Sequence, residues 1–171
     1  MLKTILYATD LGLYGPFLLE HVCELARCHQ AQVYVVHAIE PISLFADALL
    51  KTFVPDMAKS ELEHGGIESV RAAIRVQVKR AFEDDLIDFQ EDKEWIADVQ
   101  VLEGSPAEVI LKEAERLHVD LIVLGTHAGN NDRGTAIGSV ANKVLQLSRV
   151  PVYLVPTHSV RGYSTYGQIT L

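Results

Sequence analysis

The residues best suited to chemistry fall between Leu121 and Ser139. There the apolar run Leu121-Ile122-Val123-Leu124 breaks into Gly125-Thr126-His127-Ala128-Gly129, and Gly138-Ser139 then opens a helical pattern. A buried strand ending in glycine lets backbone approach a ligand closely. A Gly-Ser pair at a helix start offers unpaired N–H groups, a hydroxyl and the positive end of the helix dipole to an anion. The pattern reads as a phosphate-binding loop, and the chemistry it suggests is nucleotide recognition.

The elements that must position this loop follow from hydrophobic period. Lys3 to Thr9, Gln32 to Ile39, Ala97 to Leu102, Asp120 to Gly125 and Val150 to Val155 read as strands. Helices are predicted over Pro16 to Cys28, Ile67 to Phe89, Ser105-Pro106 through Leu117, and Ser139 to Leu147, with a less regular connection over residues 41 to 66. Ser105 followed by Glu108 fits a capping box, and Pro151 favours an edge strand or a strand start. Strands alternating with helices imply an α/β fold: one doubly wound open sheet of five parallel strands, Rossmann-like, with helices on both faces.

In the order 3-2-1-4-5 the first and fourth strands flank the switch point, where ligands of such sheets bind. Tyr7-Ala8-Thr9-Asp10 and Gly125-Thr126-His127-Ala128 then face each other across one crevice.

Composition narrows the function classes. The 171 residues, 49% hydrophobic and 22% charged, fit one domain with one sizeable core. A net charge of −8 with no basic stripe argues against nucleic acid and anionic membrane as partners. No run approaches the ~18 apolar residues of a membrane span and the N-terminus passes straight into a strand pattern, which predicts a cytoplasmic protein. Cys23 and Cys28 lie too far apart along one helix for a disulfide and read as helix-packing residues. The histidines lack zinc-site spacing, so no metal is expected from protein ligands alone. His37 reads as a satisfied buried histidine, and the acidic cluster Glu83-Asp84-Asp85, Asp88, Glu91, Asp92 and Glu94 as solvated surface.

Four segments carry a resemblance: Ile5-Leu6-Tyr7-Ala8-Thr9-Asp10, Val35-Val36-His37-Ala38-Ile39-Glu40, Glu103-Gly104-Ser105-Pro106-Ala107, and the Leu124 to Leu145 block with Val150-Pro151-Val152. Through them the chain resembles the universal stress protein family, in its nucleotide-binding branch, over nearly its whole length. The branch's loop reads Gly, two residues, Gly, nine residues, Gly, then Ser or Thr. Here Gly125, Gly138 and Ser139 keep the frame, and Ala128 replaces the second glycine.

The resemblance implies an adenine nucleotide alpha hydrolase-like fold over residues 1–156, a C-terminal tail over 157–171, and ATP or AMP as ligand. It places Thr9 and Asp10 at the nucleoside, the backbone of Ala38 at the adenine edge and Gly125 near the ribose and α-phosphate, and counts Ala8 and Thr126 among the nucleotide-binding residues. His127, Ala128, Gly138, Ser139 and Val140 would surround the phosphates through N–H groups and the Ser139 hydroxyl, with Asn142 one turn on. Mg²⁺ or Mn²⁺ would arrive only with bound nucleotide. The implied protein is a stress-response regulator, a homodimer through the Val150–Val155 strand, read by a regulatory protein partner.

Two alternatives stand beside this reading. One is a slow ATPase using His127 and Arg133; the absence of a Walker-type lysine and of a water-orienting residue argues against fast hydrolysis. The other is a nucleotide-free interaction module, to which Ala128 and Asp132 point. Asp10 also suits the N-cap of the first helix, a role compatible with ligand contact.

Overall fold

The computed structural model describes residues 1–12, 14–40, 86–127 and 137–157, with helical positions at 72, 76, 77, 79, 80 and 82. Its strands are β1 (Thr4–Ala8), β2 (Gln32–Ile39), β3 (Ile96–Glu103), β4 (Leu121–Gly125) and β5 (Val152–Val155). They form one sheet in the order β3-β2-β1-β4-β5, and every pairing is parallel. The helices are α1 (Gly15–His29), a 3₁₀ helix (Leu86–Trp95), α2 (Pro106–Arg116) and α3 (Ser139–Leu147).

The central strands are short and apolar because both of their faces are covered. Successive side chains point to opposite faces, so each strand feeds two cores. Ile5, Tyr7, Val33, Val35 and Val123 join Leu19, Val22 and Cys23 of α1, with Phe82, on one side. Leu6, Val36, Ile122 and Leu124 join Ala107 and Ile110 of α2 and Ala141 and Val144 of α3 on the other. That division is the doubly wound architecture.

Several local expectations change. Helix α1 begins at Gly15 with Tyr14 as N-cap, five residues beyond Asp10, so Asp10 does not cap it. The Pro at the helix start fixes that boundary. Ser105 occupies the N-cap of α2 but makes no side-chain cap bond, and Glu108 instead reaches across to Lys143 of α3 at 3.0 Å, so the capping box is not formed. Strand β5 starts at Val152, not Val150, because Ser148 closes a turn: its hydroxyl donates to the Val150 carbonyl at 2.7 Å and accepts from the Val150 N–H at 3.2 Å.

Residues 86–89 belong to the 3₁₀ helix and do not extend an α-helix from Ile67. The rest of that predicted helix, apart from the positions named above, lies outside the described residues, as do the 41–66 connection and residues 158–171. Both cysteines are free, but only Cys23 packs in the core; Cys28 is exposed. Among the described residues of the acidic cluster, Asp92 is not solvated surface: it is 6% exposed, with Oδ1 3.1 Å from Arg27 Nε of α1. Burying this carboxylate beside a cation ties the 3₁₀ helix to α1, whereas Glu91 and Glu94 stay in solvent.

Candidate functional site

Pairing of β1 with β4, with Ala8 opposite Leu124, brings the ends of the two strands side by side. Past those ends opens a cleft of about 650 Å³. All of the sequence-derived site residues except Ala128 line it: Ala8, Thr9, Asp10, Ala38, Gly125, Thr126, His127, Gly138, Ser139, Val140 and Asn142. Ala128 lies outside the described residues. The crevice at the switch point therefore gathers segments more than a hundred residues apart in the chain.

The β1 side is held by a tight turn. The Thr9 N–H donates to the Val36 carbonyl at 3.0 Å, which carries the β1–β2 ladder one residue further. Thr9 Oγ1 accepts from the Leu11 N–H and Asp10 Oδ1 from the Gly12 N–H, both at 3.0 Å. Leu11 sits between them in the left-handed region at φ 55, a conformation that costs a non-glycine residue about 1 kcal/mol. These side-chain bonds hold that backbone, and Asp10 stays exposed at the mouth.

His37 is only half-buried and lines the cleft. Its Nδ1 lies 2.9 Å from the Thr9 carbonyl oxygen. A carbonyl only accepts, so the Nδ1 proton is spent on it. The expectation of a satisfied histidine holds for that nitrogen, but the residue is part of the cleft wall and not of the core.

The β4 side is tied to the chain after β5. The Thr126 N–H donates to the Val155 carbonyl at 2.9 Å. Thr157, 2% exposed, then packs its methyl against Gly125: a Cβ on Gly125 would stand 2.8 Å from Thr157 Cγ2 and 3.2 Å from Leu18 Cδ2. So close packing inside the protein already requires glycine at 125.

The N–H groups assigned to phosphate must be divided anew. The His127 N–H donates to Thr157 Oγ1 at 3.0 Å, and the Gly138 N–H to the Thr126 carbonyl at 2.8 Å. Both are occupied within the protein, which removes them as phosphate donors in this arrangement. The first turn of α3 has Gly138 as N-cap, no side-chain cap and no acidic residue. The first N–H groups of a helix lack intrahelical partners, and those of Ser139 and Val140, with the Ser139 hydroxyl, lie at the end of α3 that borders the cleft.

Sequence reasoning missed Tyr14, Ile110, Ile137 and Thr157 in the wall. The first three carry no signal beyond hydrophobicity; Thr157 follows the last strand by two residues, and only the strand register brings it back to β4. Among the described residues, no Lys or Arg lines the cleft, no group of three or more His, Cys, Asp or Glu could hold a metal, and no helix is long and apolar enough to cross a membrane.

The chain is similar to a universal stress protein of Thermus aquaticus, 33% identical over 155 residues that cover 91% of this chain and 99% of the relative. A solved structure from Methanocaldococcus jannaschii superimposes with a TM-score of 0.65 at 25% identity, covering 93% of this chain and 99% of that one. The universal stress protein of Archaeoglobus fulgidus, solved in complex with dAMP, shares the fold at a TM-score of 0.56 and 20% identity over 89% and 96% of the two chains. The model of the universal stress protein family matches residues 1–156, and the chain belongs to that family.

Proposed function

We propose that the cleft binds an adenine nucleotide, ATP or AMP, and that the protein acts as a stress-response regulator whose occupied state is read by a protein partner. The observation that carries this reading is the convergence of Asp10, the β2 end at Ala38 and the uncapped first turn of α3 on one cleft. Ala8, Val36, Leu124 and Ile110 give the apolar surface a purine needs, Asp10 accepts from ribose hydroxyls, and the α3 turn receives phosphate. Family membership and a dAMP complex of the same fold point the same way.

Charge sets the terms for a triphosphate. With no Lys or Arg lining the described cleft, the extra phosphates of ATP need Mg²⁺ or Mn²⁺ carried in with them. Among the described lining residues the imidazole and carboxylate groups are His37, His127 and Asp10, with no Lys or Arg beside them, which favours slow turnover or none. Occupancy works as a signal only if the partner distinguishes the filled from the empty state.

The reading includes a cytoplasmic homodimer joined at β5. That strand pairs only with β4 among the described strands, and its Tyr153 is 40% exposed. His21 of α1 stands 6.4 Å from the Tyr153 ring and packs edge-on against Phe17, so an aromatic patch borders the open edge. A second copy covers such an edge. Light scattering that finds a monomer at micromolar concentration overturns the dimer.

Calorimetric titration with ATP, ADP and AMP, with and without Mg²⁺, tests the ligand. Saturable binding of at least one adenine nucleotide is the expected result, and no heat from any of them removes the proposal.

A further inference from the structure

We propose that Thr157 is a positioning residue of the cleft, its hydroxyl fixing the backbone at His127 and with it the imidazole that lines the cleft wall and would meet a phosphate-bearing ligand. The ligand half of this inference rests on the nucleotide reading above; the positioning half rests on the hydrogen bonds alone. Thr157 Oγ1 donates to the His127 carbonyl at 3.2 Å and accepts from the His127 N–H at 3.0 Å. It also lies 3.2 Å from Thr126 Oγ1, while the Thr157 N–H donates to that same Thr126 oxygen at 3.0 Å. His127 Nδ1 is 3.3 Å from Thr126 Oγ1, so the imidazole is oriented by the same network.

One buried side chain thus satisfies both polar backbone groups of His127. The peptide units on either side of residue 127 cannot rotate without breaking a bond to it, and residue 127 is where the chain leaves β4 for the segment that returns at Gly138. Threonine suits the position in two ways. The hydroxyl is small enough to serve an N–H and a C=O of the same residue, and the methyl fills the space left by the absent Cβ of Gly125. An apolar residue takes both of these bonds away from the His127 backbone.

Thr157→Val keeps the branched shape against Gly125 and removes the hydroxyl; Thr157→Ser keeps the hydroxyl and removes the methyl. The measurements are AMP affinity by calorimetry and exchange of the His127 amide hydrogen by NMR. The valine variant weakens AMP by about tenfold and speeds exchange at His127, and the serine variant returns both toward the wild type. Unchanged affinity with unchanged exchange in a folded Thr157→Val protein overturns the proposal. If that variant does not fold, fast exchange of the His127 amide in the wild-type chain overturns it equally. A wild-type protein that binds no adenine nucleotide while keeping His127 protected ends the ligand reading and leaves the positioning role standing.

Discussion

Gly125 and Thr157 occupy the volume of one ordinary residue pair between them: the Thr157 methyl carbon stands 2.8 Å from where a Cβ on residue 125 would be. Contacts under 3.0 Å force something to move, and Leu18 closes off the other side at 3.2 Å. Gly125→Ala therefore destabilises the protein by about 1–3 kcal/mol through overpacking. Adding Thr157→Ser removes the opposing methyl and recovers part of that loss. Urea unfolding of the single and double variants measures the coupling, and strictly additive effects contradict the contact.

At the opposite end of the same strands, Asp120 Oδ2 accepts from the N–H groups of Lys3 at 2.7 Å and Thr4 at 3.0 Å. These bonds, the Lys3 one foremost, hold the Asp120 carboxyl below its ordinary value. A carboxyl whose folded pKa is depressed adds stability above the unfolded value, near 4, and that stability is lost as pH falls through the folded value. The melting temperature of the wild type should thus fall more steeply below about pH 4 than that of Asp120→Asn. Parallel profiles for the two proteins would show that the bonds do not distinguish the charged form.

The two cysteines should separate by reactivity. Burial pushes the Cys23 thiol up to about 12, with Asp92 adding to the shift and Arg27 opposing it, while Cys28 is exposed. The thiolate is the reactive form, so at pH 8 a maleimide labels Cys28 and spares Cys23 until the protein unfolds. Mass spectrometry of the peptides decides it; rapid labelling of Cys23 in the native state contradicts the packing of α1.

How far the sequence reaches depends on whether a residue's neighbours are local. Ile5-Leu6-Tyr7 and Leu121 to Leu124 are legible as central strands because burial on both faces leaves no polar position to obscure the pattern. The switch-point crevice follows from strand order, and so the cleft residues of β1, β2 and β4 are legible too. Asp92 and Thr157 are not. Each is a single polar residue in a segment of surface composition, and each is buried by a partner far away in sequence, Arg27 for one and His127 for the other. Asp10 misleads for the opposite reason: its local signal fits a helix cap, yet the carboxylate closes a turn at Gly12 while Pro16 sets the helix start.

Arg27 and Asp92 make the buried carboxylate testable. The pair is an ion pair and not a hydrogen bond, since Oδ1 has no hydrogen-bond partner among the described residues although Arg27 Nε is 3.1 Å away. Arg27→Ala leaves a buried carboxylate without its cation; because the arginine side chain is half in solvent, the cost is about 1–2 kcal/mol and not that of a fully buried pair. The loss should be smaller in Arg27→Ala/Asp92→Asn, where the stranded charge is gone. Chemical denaturation of the wild type, both single variants and the double variant gives the coupling energy. A double variant as unstable as the sum of its parts contradicts the pairing.

Asp10 closes the turn at Gly12 and is proposed to meet the ribose, and one substitution cannot separate the two, so two are needed. Asp10→Asn keeps an oxygen for the Gly12 N–H and with it the turn that holds Leu11 at φ 55, but removes the negative charge. Asp10→Ala removes both. If the carboxylate accepts from ribose hydroxyls, Asn weakens AMP binding by about tenfold at nearly wild-type stability, because a bond to a charged acceptor contributes about 1.5–3 kcal/mol and the amide replaces only part of it. Ala then weakens binding at least as much and also lowers the melting temperature through the lost turn. An Asn variant that binds AMP as the wild type does, beside an Ala variant that loses affinity only in proportion to its stability, confines Asp10 to the turn and hands recognition of the nucleoside to the neighbouring β2 end at Ala38.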